Sequence, residues 1–175
     1  IRPADANEAV YAAKIAFESK SQPSLVLLTR QGLPVFDRSV YPSSSSIEQG
    51  GYIMCDHSNP DVLIFATGSE VWIALEVQKM LANLNIKVVN LACWELFEKQ
   101  NSSYKNNVLK CGHDTLIVSI EAGITDGWQK YTGRNGLNIG INTFGESAPG
   151  KVVADHFGLN PESVANKIKD RMNNT

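Results

Sequence analysis

Two residues near the start of the chain, Asp5 and Arg30, have side chains that suit a phosphorylated polyol. A carboxylate accepts hydrogen bonds from hydroxyl groups, and the planar guanidinium fork binds phosphate oxygens in pairs. Each residue also has an ordinary structural interpretation. Asp5 stands where a helix cap would stand, worth about 1 kcal/mol, and Arg30 can be a solvated charge that follows a strand.

A second candidate site is the turn Thr67-Gly68-Ser69, between an apolar run and a helix. A glycine at a helix N-terminus, with free backbone N–H groups and the positive end of the dipole, can bind an anion. The turn lacks the glycine spacing of dinucleotide and P-loop motifs. Capping by Ser69 is therefore the favoured interpretation of this turn, and ligand binding at Gly68 and Ser69 is the alternative.

Glu121 is the third candidate, because it directly follows a predicted buried strand. It can be a site residue or a buried acid bonded to neighbouring backbone, and the pattern does not separate the two. The three cysteines, Cys55, Cys93 and Cys111, are widely spaced and do not cluster with histidine. They indicate reduced, partly buried thiols rather than a zinc site.

The elements that must position these residues follow from the central stretch 61–81. Val62 to Ala66 is a continuous apolar run, and the helical period begins after Ser69. A strand, a tight turn and a helix open a βαβ unit, and a run without polar alternation indicates a strand covered on both faces. Further strands are predicted at Leu25–Leu28, Tyr52–Cys55, Ile86–Leu91, Thr115–Ile120 and Asn138–Phe144, and further helices at 5–19, 104–109, 126–131, 148–157 and 160–172.

Composition places the chain among ordinary globular proteins. The 175 residues are 43% hydrophobic and 19% charged, with a formal net charge of −2. This charge gives no electrostatic reason to expect nucleic acid or an anionic membrane as a partner. No apolar run approaches the length of a membrane span. The chain begins Ile1-Arg2-Pro3 without Met, so we expect a fragment of a longer protein.

Six motifs together resemble the successive signatures of the transketolase family. They occur in the right order across nearly the whole chain and are specific as a set: Arg2-Pro-Ala-Asp-Ala-Asn-Glu8, Leu28-Thr-Arg-Gln31, Gly50-Gly-Tyr52, Ala66-Thr-Gly-Ser-Glu-Val71, Ile120-Glu-Ala-Gly123 and Phe144-Gly-Glu-Ser-Ala-Pro-Gly-Lys151.

The resemblance implies a fold and a domain organisation. Residues 1–31 would be the end of the pyrimidine-binding domain, 32–49 a linker and 50–175 the complete C-terminal domain. That domain would be α/β, a three-layer α/β/α unit with a mixed sheet of about five strands. Its first strand, Tyr52–Cys55, would run antiparallel to the others.

The resemblance also implies an activity for the parent protein. Transketolases transfer a two-carbon ketol unit between sugar phosphates in the pentose phosphate pathway, with thiamine diphosphate and a divalent metal (Mg or Ca). Asp5 would contact a sugar hydroxyl and Arg30 a substrate phosphate. The parent would be a cytoplasmic homodimer.

The family motif for the metal and diphosphate is absent from this sequence, as are the cofactor-activating Glu and the substrate-handling histidines. The chain alone is therefore expected to be inactive, to bind no cofactor or metal and to serve architecture and dimerisation. Three alternatives stay open: a self-standing dimerisation scaffold, a small-ligand regulatory module using Gly68, Ser69 and Glu121, and a parent that is the related dihydroxyacetone synthase.

Overall fold

The fold is a five-stranded mixed sheet between two helical layers, preceded by an N-terminal helical segment. The computed structural model describes residues 1–174. The strands are β1 (Tyr52–Cys55), β2 (Val62–Ala66), β3 (Ile86–Asn90), β4 (Leu116–Ile120) and β5 (Leu137–Ile139). The helices are α1 (Ala6–Glu18), α2 (Glu70–Met80), α3 (Trp94–Glu98), α4 (Ser102–Leu109), α5 (Gln129–Thr132), α6 (Gly150–His156) and α7 (Pro161–Asn173), and a short 3-10 helix covers Ser44–Gln49.

The sheet has the strand order β1-β3-β2-β4-β5, and β1 alone runs antiparallel to its neighbour. β2 is the central strand, and all five of its residues are buried. A strand in this position is covered on both faces, which explains its uninterrupted apolar sequence. The mixed sheet with an antiparallel first strand confirms the predicted fold class.

The side chains of β2 divide between the two cores of the domain. Val62, Ile64 and Ala66 pack with α2 and α7 on one face of the sheet. Leu63 and Phe65 pack on the other face with α3, α4 and α5. Because successive side chains of a strand point to opposite faces, one short run supplies both cores and builds three layers.

Two of the predicted helix starts are confirmed by their caps. The Asp5 carboxylate accepts from the backbone N–H of Glu8 at the start of α1. Asn160 accepts from the N–H of Ser163 at the start of α7, where Pro161 occupies the first turn. The predicted Ser69 cap is wrong, because the Ser69 hydroxyl makes no bond to a helix N–H and donates to the Glu70 carboxylate at 2.6 Å.

The predicted strand Leu25–Leu28 does not form. The run is extended, but among residues 1–174 only Ile1 supplies backbone partners: Leu27 N–H donates to Ile1 O at 2.9 Å, and the Ile1 ammonium donates to Leu25 O at 2.7 Å. Leu25, Leu27 and Leu28 are 70%, 48% and 67% exposed. An apolar run shows that a segment suits a buried strand, but the strands that would cover it are not among the described residues.

Two further segments differ from their sequence-based interpretation. Residues 32–49 lack a regular pattern, yet Phe36 and Ile47 are buried, and Ile47 packs with Ala12 and Ala92 between α1 and the sheet domain. β5 stops at Ile139 rather than at residue 144. The chain leaves the sheet there because Ile141 N–H bonds to Gly123 O at 2.7 Å, in the loop after β4.

Candidate functional site

The candidate site lies at the carboxyl edge of the sheet, between the ends of β2 and β4. The chain runs from β2 to β3 on one side and then crosses to β4 on the other side, so the loops after β2 and β4 diverge. Ligands of open α/β sheets bind in the crevice at such a topological switch point. The structure brings the predicted residues Gly68, Ser69 and Glu121 to this crevice, although 52 positions separate Ser69 from Glu121 in the sequence.

The guanidinium of Arg2 fills this crevice. Its Nη1 atom donates to the Glu121 carboxylate, and its Nη2 atom donates to Glu70 Oε2 at 3.3 Å. The Arg2 side chain crosses Gly68, where an added Cβ atom would lie 3.3 Å from Arg2 Nε. Gly68 has φ +60°, so the turn needs glycine for its backbone as well as for this close approach.

Glu70 lies in the motif at residues 66–71 but was not among the site residues predicted from the sequence. Its carboxylate is buried and accepts from Ala122 N–H at 2.9 Å, which joins α2 to the loop after β4. Burial raises the pKa of Glu70. With Glu121 beside it, the turn holds a cation, and not the anion that its backbone suggested from sequence.

Glu121 is oriented from the opposite side of the crevice. Trp128 Nε1 donates to Glu121 Oε2 at 2.6 Å, while Arg2 binds the other oxygen. Trp128 is itself buried among the aromatic side chains of the second core. The sequence left open whether Glu121 is a site residue or an acid bonded to neighbouring backbone. Within residues 1–174 its carboxylate partners are two side chains, so the backbone-bonded interpretation is wrong.

Asp5 lies in a separate buried network behind α1. One carboxylate oxygen caps the helix, and the other accepts from Arg38 Nη2 at 2.7 Å and from Phe36 N–H at 3.1 Å. Asp5 is 4% exposed. The structural interpretation of Asp5 as a helix cap is confirmed, and in this conformation its carboxylate has no free face for a sugar hydroxyl.

Glu8 completes this network and was not singled out as a functional residue from the sequence. It is fully buried and accepts from Tyr52 Oη, from Asn90 Nδ2 at 3.0 Å and from Ala4 N–H at 2.8 Å. Burial raises the pKa of Glu8 and the pKa of Tyr52. The network joins α1 to β1 and β3, so its role is to attach the N-terminal segment to the sheet domain.

Arg30 is placed very differently from Asp5. It is exposed in the segment that follows Leu25–Leu28, and within residues 1–174 its guanidinium has no ion pair or hydrogen bond. Asp5 and Arg30 share no bonding partner in the described chain. In this conformation the Arg30 guanidinium is therefore open to a ligand, whereas the Asp5 carboxylate is bonded within the protein.

A groove of about 830 Å³ runs along α2 and α6, and Gln31, the residue after Arg30, is part of its lining. Its walls include Gln31, Trp72 and Phe157, and Glu146 and Lys151 stand at its rim. Glu70 also lines it, so the groove adjoins the crevice that Arg2 fills. The groove is large enough for a small molecule.

Lys87 and the three cysteines lie outside the crevice and the groove. Lys87 is buried in β3, and its ammonium donates to the carbonyls of Asn107 and Lys110 at the end of α4, both at 3.1 Å. The three cysteines are free and half-buried, and burial raises the pKa of each thiol. Within residues 1–174, no group of three or more His, Cys, Asp or Glu side chains is arranged to hold a metal ion.

These features define a class of protein: a three-layer α/β/α domain with a mixed five-stranded sheet, whose carboxyl edge is closed by an arginine of the preceding segment. Residues 50–160 match the family model described as the transketolase-like TK C-terminal domain. The chain belongs to the transketolase family, which confirms the resemblance drawn from its motifs.

Individual relatives extend the similarity over nearly the whole chain. The chain is 47% identical to a transketolase of Aquifex aeolicus and 40% identical to one of Bacillus subtilis, covering 98% and 99% of this chain but 25% and 26% of those proteins. A transketolase of Pichia stipitis solved with fructose 6-phosphate superimposes with a TM-score of 0.88 at 36% identity, over 97% of this chain and 24% of that one. The chain thus spans about a quarter of the length of these relatives.

Proposed function

We propose that this chain is the C-terminal part of a transketolase, and that the complete protein transfers a two-carbon ketol unit between sugar phosphates. The observation that carries the proposal is the 47% identity to a transketolase over 98% of the chain. The family membership covers both the N-terminal segment and the sheet domain. The same support favours the pentose phosphate pathway as the setting of the reaction.

Thiamine diphosphate and a divalent metal, Mg or Ca, are proposed as cofactors of the complete protein. When bound, thiamine diphosphate would supply the nucleophilic carbon and the electron sink for transfer of the ketol unit. Residues 1–174 contain no metal-binding cluster, and the crevice at the sheet edge is lined by carboxylates that would repel a diphosphate. The described residues do not fit the cofactor or the metal, so no step through them is assigned to this chain.

The role proposed for this chain is architecture, with Arg30 as a contribution to substrate binding. Arg30 is exposed and unpaired within residues 1–174, so its fork can bind a substrate phosphate. For Asp5 we propose a positioning role in place of a sugar contact, because its carboxylate caps α1 and pairs with Arg38.

The division into a pyrimidine-binding remnant at 1–31, a linker at 32–49 and a C-terminal domain at 50–175 is part of the proposal. Its support is the exposed leucine run described above, because an apolar extended segment of this kind is suited to pairing with strands of a larger domain.

A homodimer is proposed for the complete protein, because exposed apolar residues such as Phe17 and Phe144 can form a contact surface. A cytoplasmic location is proposed as well, and free thiols suit a reducing compartment. No helix within residues 1–174 has the length and apolarity needed to cross a membrane.

The activity is tested by assaying the complete protein with xylulose 5-phosphate as the ketol donor, in the presence of thiamine diphosphate and Mg²⁺. Ribose 5-phosphate is the acceptor for a transketolase. Formaldehyde is the acceptor for a dihydroxyacetone synthase, since a two-carbon unit plus one carbon gives a three-carbon ketone. We expect turnover with ribose 5-phosphate and none with the 175-residue chain alone. Turnover with formaldehyde only would reassign the parent, and turnover by the chain alone would refute the architectural role.

The contribution of Arg30 is tested in the same assay. Arg30→Ala in the complete protein should raise KM for phosphorylated substrates at least about tenfold, the loss of one charge-assisted contact, with a smaller change in kcat. Arg30→Lys should recover part of this loss. Arg134→Ala, which removes an exposed arginine between α5 and β5, is the control. An unchanged KM in Arg30→Ala would remove Arg30 from the site.

A dimerisation scaffold is the second candidate, favoured by the exposed leucines of residues 25–28. A stable dimer of the 175-residue chain in gel filtration would support it. The regulatory-module hypothesis loses support because Arg2 already occupies the crevice at Gly68 and Glu121. Thermal-shift measurements with nucleotides and sugar phosphates test what remains of it, and a shift no larger than that of phosphate buffer would exclude it.

A further inference from the structure

The carboxylates of Glu70 and Glu121 belong to different elements of the fold, but both bind the guanidinium of Arg2. Glu70 begins α2, after the central strand β2, and Glu121 follows β4. Each carboxylate is held by groups other than Arg2. Ser69 Oγ and Ala122 N–H bind the two oxygens of Glu70, and Trp128 Nε1 binds one oxygen of Glu121.

The two acids are therefore also held in position by groups other than Arg2. Without a cation between them, two like charges would face each other in a partly dry crevice, and one oxygen of Glu121 would lose its partner. The Glu70 side chain is only 5% exposed, so water compensates this repulsion poorly. The guanidinium of Arg2 lies between the two carboxylates and forms an ion pair with each.

Arg2 contacts the loops after all three central strands. Its side chain binds Glu70 after β2 and Glu121 after β4, and its backbone N–H donates to Ala92 O, after β3, at 2.9 Å. The residue before it, Ile1, accepts a backbone hydrogen bond from Leu27. The first two residues thus lie between the extended run 25–28 and the edge of the sheet.

We propose that Glu70 and Glu121 form a guanidinium-binding site, and that Arg2, as its occupant, clamps residues 1–31 to the sheet domain. The ligand class is set by geometry. Two nitrogen atoms of one planar fork bind two carboxylates of separate loops, whereas an ammonium is a single compact charge. The clamp is a positioning device, and it does not depend on the activity proposed for the complete protein.

The clamp is tested by hydrogen–deuterium exchange of the 175-residue chain, comparing wild type with Arg2→Ala. Peptides from residues 1–31 should exchange at least about tenfold faster in the variant, the effect of losing one or more charge-assisted hydrogen bonds. Peptides from β2 and β4 should change little. Arg134→Ala, an exposed arginine elsewhere on the surface, should leave both regions at the wild-type rate.

Chemical rescue then tests the ligand class. In Arg2→Ala, millimolar methylguanidinium should raise the unfolding temperature by more than methylammonium at equal concentration, because it can pair with both Glu70 and Glu121. It should not slow the exchange of residues 1–31, since it is not joined to that segment. Arg2→Lys should exchange faster than wild type. Unchanged exchange in Arg2→Ala would refute the clamp. A rise in unfolding temperature that is no larger with methylguanidinium than with methylammonium would refute the guanidinium site.

A second variant keeps the test decisive if Arg2→Ala does not fold. Glu121→Gln preserves the shape of the side chain and can still accept from Trp128, but it removes the charge that pairs with Arg2. It should accelerate exchange in residues 1–31 in the same direction as Arg2→Ala. Combining Arg2→Lys with Glu121→Gln should then accelerate exchange by less than the product of the two single effects. Simple multiplication of those effects would refute a direct pairing.

Discussion

Asp5 and Arg30 were predicted to share a substrate but differ in how much of each side chain is left for a ligand. The carboxylate of Asp5 accepts three hydrogen bonds from the protein, whereas Arg30 is exposed. A residue's type indicates what it can bind, but its neighbours decide whether it is available. For Asp5, the cap and the ion pair with Arg38 use both oxygens.

The stability of the N-terminal segment should therefore depend strongly on Asp5. Asp5→Ala removes the cap and leaves Arg38 without its close partner, so we expect a loss of about 3 kcal/mol in the free energy of unfolding. Asp5→Ser keeps a cap but not the ion pair, and should recover about 1 kcal/mol of that loss. Urea denaturation measures both. Equal stability of the two variants would contradict the capping role.

Glu98 gives the chain a pH-dependent contribution to stability. Its carboxylate binds Lys130 at 2.7 Å and Lys105 at 2.9 Å, and these bonds lower its pKa from about 4.5 to about 2. Because the folded pKa is the lower one, the unfolded state binds more protons between the two values. The stabilisation by Glu98 is therefore complete above about pH 4.5 and is lost as the pH falls towards about 2.

Replacing Glu98 should remove this part of the acid response. We expect the urea midpoint of wild type to exceed that of Glu98→Gln at neutral pH, and the difference to shrink as the pH falls from about 4.5 to about 2. The difference should be modest, because the side chain is 35% exposed and solvent screens it. Glu146→Gln, at an exposed carboxylate before α6, controls for net charge. A difference that is constant with pH would contradict the argument.

At the scale of elements, Gly50 fixes how the 3-10 helix meets β1. Its φ is +78°, and its N–H and C=O bond to Ile47 and Cys93. A Cβ atom there would lie 2.2 Å from Phe97 N and 2.4 Å from Cys93 O. Both neighbours are backbone atoms, which cannot move aside as a flexible side chain can.

Three glycine variants separate the two sources of destabilisation expected at Gly50, which are the left-handed backbone and the steric clash. Gly50→Ala should cost about 4 kcal/mol, from a left-handed backbone and a steric clash together. Gly133→Ala, at φ +68° with open space around it, should cost about 1 kcal/mol. Gly145→Ala has neither problem and should change stability by less than about 1 kcal/mol. Thermal or urea unfolding gives the order, and a Gly50 variant no worse than the Gly133 variant would contradict the clash.

The elements of the sheet domain were predictable because local sequence determines them. The apolar run Val62–Ala66, the glycine at 68 and the helical period after it require no distant partner to be recognised. Leu25–Leu28 has an equally apolar sequence, but its state depends on neighbouring strands that the run itself does not specify. Phe36 and Ile47 were missed for the opposite reason, since isolated apolar residues in an irregular segment give no periodic signal.

At the scale of the whole molecule, the N-terminal segment is attached to the sheet domain by contacts that are distant in sequence. Arg2 and Glu121 lie 119 positions apart, and Glu8 and Asn90 lie 82 apart. No periodic pattern connects such pairs, so the sequence indicated the separate residues of the candidate site but not the arginine that fills it. The only available signal was that Arg2, Glu70 and Glu121 each belong to a family motif.

The exposed leucines of this attached segment are the basis of the last prediction. Leu25 and Leu28 are exposed on an extended run, while Val26 between them packs against the cluster of Ala12 and Ile47. If residues 1–31 complete a domain of the longer protein, the outward leucines contact its remaining strands. Leu25→Lys with Leu28→Lys should then change the stability of the 175-residue chain by less than about 0.5 kcal/mol.

If that domain exists, the same double variant should lower the yield of the folded longer protein severalfold, because two charges would enter a buried interface. Val26→Lys is the matched control. It should destabilise the 175-residue chain as well as the complete protein, since Val26 faces inward. Urea denaturation measures the change in stability of the 175-residue chain. The soluble yield measures the effect on the complete protein. A complete protein unaffected by lysine at 25 and 28 would show that these two positions stay exposed and that no neighbouring strand covers them.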